Sequence, residues 1–387
     1  MRQVITSEKH PIKLWLDDLE PGAMVQAKNL ANLPFVHKHV ALMPDAHSGY
    51  GMPIGGVLAS KGVVVPNAVG VDIGCGMCAM RTSLQEIDHG NLMHILAHIR
   101  ACIPTGHNWH KTPQDLKHMP TKGKLPPIVE QEYKNAQHQI GSLGGGNHFI
   151  EIQRGSDKHI WVMVHSGSRN LGKLVAEHYN KQAKIMNSRW HTAIPASFDL
   201  AFLPVDTEEA QTYLKEMDYC VQFAFANRKL MMERIQEAFN DMLKGRVSFD
   251  GMVNVAHNYA AWEHHYGENV LVHRKGATRA RLGEIGIIPG SQGTQSYIVE
   301  GLGNPESFES CSHGAGRMMG RKQAQRELDL SNEIRRMESK GIIHAIRHQK
   351  DLDEAPGAYK DIDVVMTNQT DLVKIKVKLE PLAVVKG

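Results

Sequence analysis

The chain is 387 residues long, 42% hydrophobic and 22% charged, a composition that excludes disordered and membrane-embedded classes and could fill two or three domains on length alone. A formal net charge of +3 is too small to attract a polyanion in bulk, so nucleic-acid contact would have to come from local clusters of Lys and Arg. Histidine stands out at 23 against 44 Lys plus Arg, and the five cysteines are odd in number and scattered, unlike a secreted disulfide framework.

The opening "MRQVITSEKHPIKLWLDD" has no apolar signal core, and no apolar run approaches the roughly 18 residues of a membrane span. The expectation is a reducing, cytoplasmic setting with no membrane partner. Next, "HVALMPDAHSGYGMPIGGVLASKGVVVP" reads as strands and turns. Helical periodicity runs over residues 84–102, 128–139, 170–189 and 207–243. Between and after these, "HIWVMVH", "MVNVAH", "NVLVHR" and "YIVEG" read as strands, and the charged run 321–340 as one or two solvated helices. The segment 103–127 is basic and proline-rich. Its Lys111, Lys117, Lys122 and Lys124 could meet phosphates, or the segment could be a plain surface loop. There is no linker, low-complexity tract or repeat, and strands and helices mix without strict alternation, so the expected class is α+β.

The stretch "VDIGCGMC" sets a carboxylate, Asp72, beside two thiols, Cys75 and Cys78. Such a pair can bind metal, exchange disulfides or merely pack, and its spacing does not choose. Five histidines, His47, His148, His165, His257 and His313, lie near strand ends or small turn-forming residues. Singly, each is more economically a hydrogen-bonded structural imidazole. Together with Asp72 and a cysteine they offer the three common transition-metal ligand types, which points to a shared metal site. A second constellation sets Arg274, Lys275, Arg279 and Arg281 before "PGSQG", with "SHGAGR" further on. Glycine-turn amides with nearby arginines suit a phosphate, although hairpin glycines and solubilising arginines would read the same way. Neither the Walker pattern nor a GxGxxG fingerprint occurs, which excludes the ordinary nucleotide folds.

In order along nearly the whole chain, "PDAHSGYGMPIGGV", "VGVDIGCGM", "LGGGNHFIE", "VMVHSGSRNLG", "HNYA", "RKGATRA", "IIPGSQGTQSYIVEGLGN", "SCSHGAGRMM", "AYKDID" and "VVKG" resemble the RtcB family of RNA ligases. The resemblance implies one ligase domain over residues 1–387, against the length-based estimate, with an α+β fold of its own type: mixed sheets in a central sandwich flanked by helices. It implies an enzyme that uses GTP and two Mn2+ ions per active site. Its substrates would be RNA ends bearing a 3′-phosphate, or a 2′,3′-cyclic phosphate opened first, joined to 5′-hydroxyl ends in RNA repair or tRNA splicing. A monomer is implied, and an activating or RNA-processing protein partner is left open.

By the same resemblance, His313 is the nucleophile that carries GMP as a phosphoramidate. Asp72, Cys75, His148, His165 and His257 match metal ligands, with Cys75 shared, Asp72 on one side, His148 and His165 on the other, and His257 completing the first ion. Gly74 and Gly76 are expected to make space for ions and phosphate. GTP contacts match Asn147, His148, Phe149, Ile150, Glu151 and His257, then Pro289, Gly290, Ser291, Gln292 and Ser296, then His313, Gly314, Ala315 and Gly316, with Tyr359 and, for the guanine base, Lys386. Arg169 matches a contact to the RNA terminal phosphate, or is a helix-start surface arginine; Asp45 and His47 lie behind the ligands or at the RNA ends. Cys78 matches no ligand and is expected to pack. A thiolate–imidazole set favours zinc or copper on affinity, so manganese rests on the resemblance. The competing readings are a metal-dependent phosphoesterase or nucleotidyltransferase acting on another phosphorylated substrate, and a non-catalytic RNA-binding module.

Overall fold

The computed structural model describes residues 1–120 and 123–387, so Lys122 of the basic segment lies outside the described residues. Two large sheets carry the fold. The six-stranded sheet runs in the order Gln3–Ile5, Ile12–Leu14, Val36–His47, Ile54–Ser60, Glu268–Lys275, Asn258–His265, and contains one parallel pair, Ile12–Leu14 with Val36–His47. The seven-stranded sheet runs Val253–Ala256, Gly76–Arg81, Ile160–Ser166, Phe149–Gly155, Val373–Lys386, Ser296–Gly301, Ile285–Ile288, with antiparallel ladders throughout. The α+β expectation holds.

Period-two alternation decides what each sheet face meets. In the seven-stranded sheet, Cys78, Ile150, Ile152, Val162 and Val164 face a core shared with two helices, while Met77, Phe149 and Met163 face the other side. The six-stranded sheet sends Ala41, Met43 and Val57 into a core that also takes Ile288, Tyr297 and Val299 from the seven-stranded sheet. The sheets therefore pack on each other, and the expected sandwich is present.

The helices appear where the periodicity put them, except that the first begins at His89 rather than at 84, where the Asp88 side chain caps it by accepting from Asn91 N. They span His89–Cys102, Pro127–Gln139, Arg169–Arg189 and the 35-residue Glu208–Met242. The long helix starts where the Thr207 hydroxyl accepts from Ala210 N and Glu208 and Glu209 meet the positive end of the dipole. Tyr213, Met217, Cys220 and Phe223 pack it on the helices Pro127–Gln139 and Arg169–Arg189, and Met231, Ile235, Ala238 and Phe239 pack it on the seven-stranded sheet. The charged run resolves into two helices, Arg321–Glu327 and Leu330–Glu338, of which the second buries Met337. Among the described residues, no helix is long and apolar enough to cross a membrane.

Candidate active site

Sheet register assembles the site. Met77, His165, Phe149 and Lys386 are successive cross-strand partners, so their side chains form one row on one face near the sheet's end. Cys75 immediately precedes the first of these strands, in a turn closed by Cys75 N donating to Asp72 O at 3.1 Å, and His257 N donates to Cys75 O at 2.8 Å. His148 enters from the loop before Phe149–Gly155. The Cys75 sulfur lies 3.4 Å from His148 Nε2 and 3.3 Å from His165 Nε2, and Asp72 Oδ2 lies 3.1 Å from His148 Nε2. His257 stacks edge-on against His165, ring centroids 5.2 Å apart, and then against His313 at 4.8 Å.

These donors suit a metal. His165 Nδ1 is 3.0 Å from Asn147 O, so it donates there and leaves the Nε2 lone pair facing the sulfur. Burial holds His165 and His257 well below the usual imidazole range, hence neutral, as ligands must be. Burial, and then Asp72 beside it, pushes the Cys75 thiol far up, so a thiolate here calls for a cation on the sulfur. His257 Nδ1 is buried without a partner among the described residues. The residues therefore fit a bound metal.

The glycine-rich loop that delivers His148 is sterically obligatory. Gly144 has φ +94° and Gly146 φ +71°, and a Cβ at Gly144 would overlap the Arg169 guanidinium and His148 Nδ1. Arg169 itself takes a φ of 60°, rare for a non-glycine residue. Its Nε donates to Ser142 Oγ at 3.1 Å and its Nη2 to Gly106 O at 3.3 Å, so it is built into the wall rather than left on the surface.

On the other side of His165 opens a cavity of about 810 Å³, its mouth included. His313 lies between the metal donors and this space. Its Nδ1 is 2.6 Å from Asp45 Oδ2, and the same oxygen accepts from His313 N at 3.1 Å and Gly314 N at 3.2 Å. Asp45 is wholly buried, His313 about 15% exposed. The Asp45 carboxylate accepts from Nδ1–H and so leaves Nε2 with a free lone pair, the arrangement of an oriented imidazole nucleophile.

The remaining walls carry Asn147, Phe149 and Glu151, the turn Pro289, Gly290, Ser291 and Gln292, then Gly314, Ala315 and Gly316, with Tyr359 and Lys386. Burial pushes Glu151 up to about 8 despite Lys386 nearby. Burial also lowers Lys386, opposed by Glu354 and Glu151.

A family model described as tRNA-splicing ligase RtcB matches residues 26–125 and 108–387. The RNA-splicing ligase RtcB of Escherichia coli K12 is 38% identical, covering 100% of this chain and 99% of that protein. The chain belongs to the RtcB family. A tRNA-splicing ligase RtcB from Thermococcus kodakarensis is 32% identical over 94% of this chain and 90% of its own length. An RNA-splicing ligase RtcB homolog 1 from Entamoeba dispar is 34% identical over 95% and 82%.

Cys75, His148 and His165 bring their donor atoms within 4.8 Å of one another, the His148 and His165 ring centroids 5.2 Å apart as expected of a pair, while Asp72 Oδ2 reaches His148 Nε2 and His257 stacks on His165. Several other expectations for this RtcB chain change in three dimensions. Gly74 and Gly76 do not clear space for ions: a Cβ at Gly74 would meet Val221 and Ala224 of the long helix, and one at Gly76 would overlap Val255 O. It is Gly167 whose missing Cβ leaves room for the Asp72 carboxylate.

The arginines before "PGSQG" do not line the cavity either. Arg274 is fully buried and forked onto Glu263, at 2.5 and 3.0 Å, Arg279 is paired with Glu284, and Arg281 with Glu309. Lys275 Nζ donates to Tyr50 O and Asn67 O, and burial lowers it to about 7. The cavity's arginines are instead Arg317 and Arg321, both 2.9 Å from Glu354 Oε1. Burial works to raise Glu354, but Lys386, Arg317 and the Tyr359 hydroxyl hold it below the usual range. Nothing in local pattern singled out Glu354; Arg317 stood inside the quoted "SHGAGR" without a role.

Of the expected nucleotide contacts, Ile150 turns its side chain into the opposite apolar core. Ser296 sits behind the cavity, its Oγ accepting from Gly290 N at 3.1 Å and from Gln153 Nε2 at 3.2 Å. His47 lines the cavity, lowered to about 4 by burial, with Nδ1 3.0 Å from Asp45 O. Asp45 takes the supporting position, through His313, rather than an RNA end. Cys78 is buried on the opposite sheet face, its thiol 3.8 Å from Arg228 O, and packs as expected.

Proposed function

We propose that this RtcB-family RNA ligase is GTP- and Mn2+-dependent, joining RNA 3′-phosphate or 2′,3′-cyclic phosphate ends to 5′-hydroxyl ends, with the whole 387-residue chain acting as one unit. The observation that carries the reading is His313, oriented by Asp45 at the junction of the metal donors and the cavity. His313 Nε2 attacks the α-phosphorus of GTP; the P–N bond forms as the bond to pyrophosphate breaks. GMP then passes to an oxygen of the RNA 3′-phosphate, and the 5′-hydroxyl attacks that phosphate and expels GMP. A cyclic phosphate is first opened by water.

Lys386, with Phe149 and Tyr359, would receive the guanine, and the Pro289–Gly290–Ser291–Gln292 turn together with Gly314, Ala315 and Gly316 the ribose and phosphates. Arg169 would meet the RNA terminal phosphate. Two Mn2+ ions would be held by Asp72, Cys75, His148, His165 and His257. When bound they offset the charge that develops on phosphoryl oxygens. The five cysteines are all free, which suits a reducing, cytoplasmic compartment. We take the monomer as the acting species, open to an activating or RNA-processing partner.

Incubation with α-labelled GTP and Mn2+ should leave acid-labile label on the protein, and His313→Ala should abolish it. Label surviving that substitution would remove His313 as nucleophile. With a nicked stem-loop bearing 3′-phosphate and 5′-hydroxyl ends, a sealed product is expected. Phosphate release without sealing would favour a phosphoesterase.

A further inference from the structure

The hairpin joining Val36–His47 to Ile54–Ser60 has one feature that neither the metal donors nor the nucleotide cavity uses. Its two ends, His47 and Ile54, are cross-strand partners and both line the cavity. The hairpin's base therefore borders the cavity; beyond it Ser48 and Tyr50 are exposed, while Gly51, Met52 and Pro53 are buried. At the tip, Tyr50 is 75% exposed, and its hydroxyl has no protein partner among the described residues.

The backbone beneath that ring is held from several directions. Gly49 both donates to Gln26 Oε1, at 3.1 Å, and accepts from Gln26 Nε2, at 2.5 Å. Ser48 N donates to Glu20. Tyr50 O accepts from Lys275 Nζ at 2.6 Å and from Met52 N at 2.8 Å. Gly51, at φ +69°, has its Cα against Asp199 O, where a Cβ would overlap. A single exposed aromatic is ordinary on a floppy loop. Here a buried lysine is spent on fixing the carbonyl of an exposed tyrosine, so the ring is presented with its backbone entropy already lost, and a flat partner docks at less cost.

We propose that Tyr50 is a stacking platform for a base of the RNA strand whose end enters the site, an inference that rests on the RNA-ligase reading. Cations flank the hairpin: Lys275 Nζ lies under Tyr50 and Lys360 Nζ on Ala46 O, while Arg317 and Arg321, both shared with Glu354, line the cavity at its base. An aromatic face with cationic side chains beside it is the combination that holds a single strand without reading its sequence.

The test uses the full-length protein and three readouts: anisotropy of a short fluorescent single-stranded RNA ending in 3′-phosphate, label uptake from GTP alone, and KM for RNA in sealing. Tyr50→Ala should weaken RNA binding and raise KM by roughly ten-fold or more, with label uptake within about two-fold of the parent protein. Tyr50→Phe should restore both. Unchanged RNA affinity in Tyr50→Ala overturns the proposal. So does label uptake falling in parallel, which would assign the ring to the nucleotide or the fold. Were the parent protein to take no label and seal no ends, the ligase reading would fall, while the anisotropy pair would still decide whether Tyr50 stacks RNA.

Discussion

At the scale of single residues, chemistry depends on which nitrogen of each imidazole is occupied. Asp45 fixes His313 through Nδ1, and Asn147 O fixes His165 through Nδ1. Asp45→Asn keeps the shape but offers an amide where the carboxylate stood, so the imidazole loses its enforced tautomer. Label uptake from GTP should fall by about 10²–10⁴-fold, with the melting temperature nearly unchanged; uptake above a tenth of the parent rate would make Asp45 a packing group. This partnership was invisible in the sequence because 268 residues separate the two side chains. The histidine and its motif were legible, and so was Asp45 as a residue of interest, but not which one it serves. Cys78 shows the opposite case: alternation along Gly76–Arg81 puts it on the apolar face, away from Cys75, despite their adjacency in "CGMC".

At the scale of elements, the long helix Glu208–Met242 does more than cover the sheet. Asn227 accepts from Gly141 N and Ser142 N and donates to Gly167 O, while Arg228, fully buried, donates to Gly74 O at 2.9 Å, Ser166 O at 2.8 Å and Asn254 Oδ1 at 2.7 Å. One turn of helix thus ties the Cys75 turn to the end of the His165 strand and to the loop leading to His148. Lysine cannot span these acceptors with a single ammonium. Arg228→Lys should cost about 1–3 kcal/mol of stability and weaken metal binding about ten- to a hundredfold, read by calorimetric titration; parent-like affinity would separate this clamp from the donors. Earlier on the same helix, Glu216 is wholly buried and accepts from Ile128 N at 2.7 Å, at the start of Pro127–Gln139. Burial raises it from 4.5 to about 7. The folded chain keeps a proton there that the unfolded chain has lost, so this group's contribution falls as pH rises from about 4.5 to about 7 and is level above that. Glu216→Gln should therefore stabilise the protein by about 1–3 kcal/mol at pH 8 and by almost nothing at pH 4, in denaturant titrations at the two pH values. An equal gain at both would point to packing instead of titration.

At the scale of the whole molecule, the metal donors come from segments far apart in sequence that meet where the two sheets approach. An ion bound to Asp72, Cys75, His148, His165 and His257 would cross-link them and favour the folded state by mass action, about 2.7 kcal/mol at a hundred times Kd. Added Mn2+ should raise the melting temperature by several degrees, and chelator should reverse it. Cys75→Ala should abolish that gain. Cys78→Ala should keep it from a baseline about 1 kcal/mol lower; a full Mn2+ gain in Cys75→Ala would dismiss the cluster as a metal site.

The class, the main helices, the strands before His165 and His257, and, through ten ordered motifs, the family were legible along the chain. Those depend on local periodicity, turn chemistry and short contiguous patterns, which are written along the chain. Folding alone sets Gly74 and Gly76 to close packing, binds Arg274 and Arg279 to their own carboxylates, and brings Glu354 to Arg317 and Arg321 at the cavity. Each of these is a pairing between side chains or surfaces on different elements. A charge or a missing Cβ has no fixed meaning until the fold chooses its neighbour.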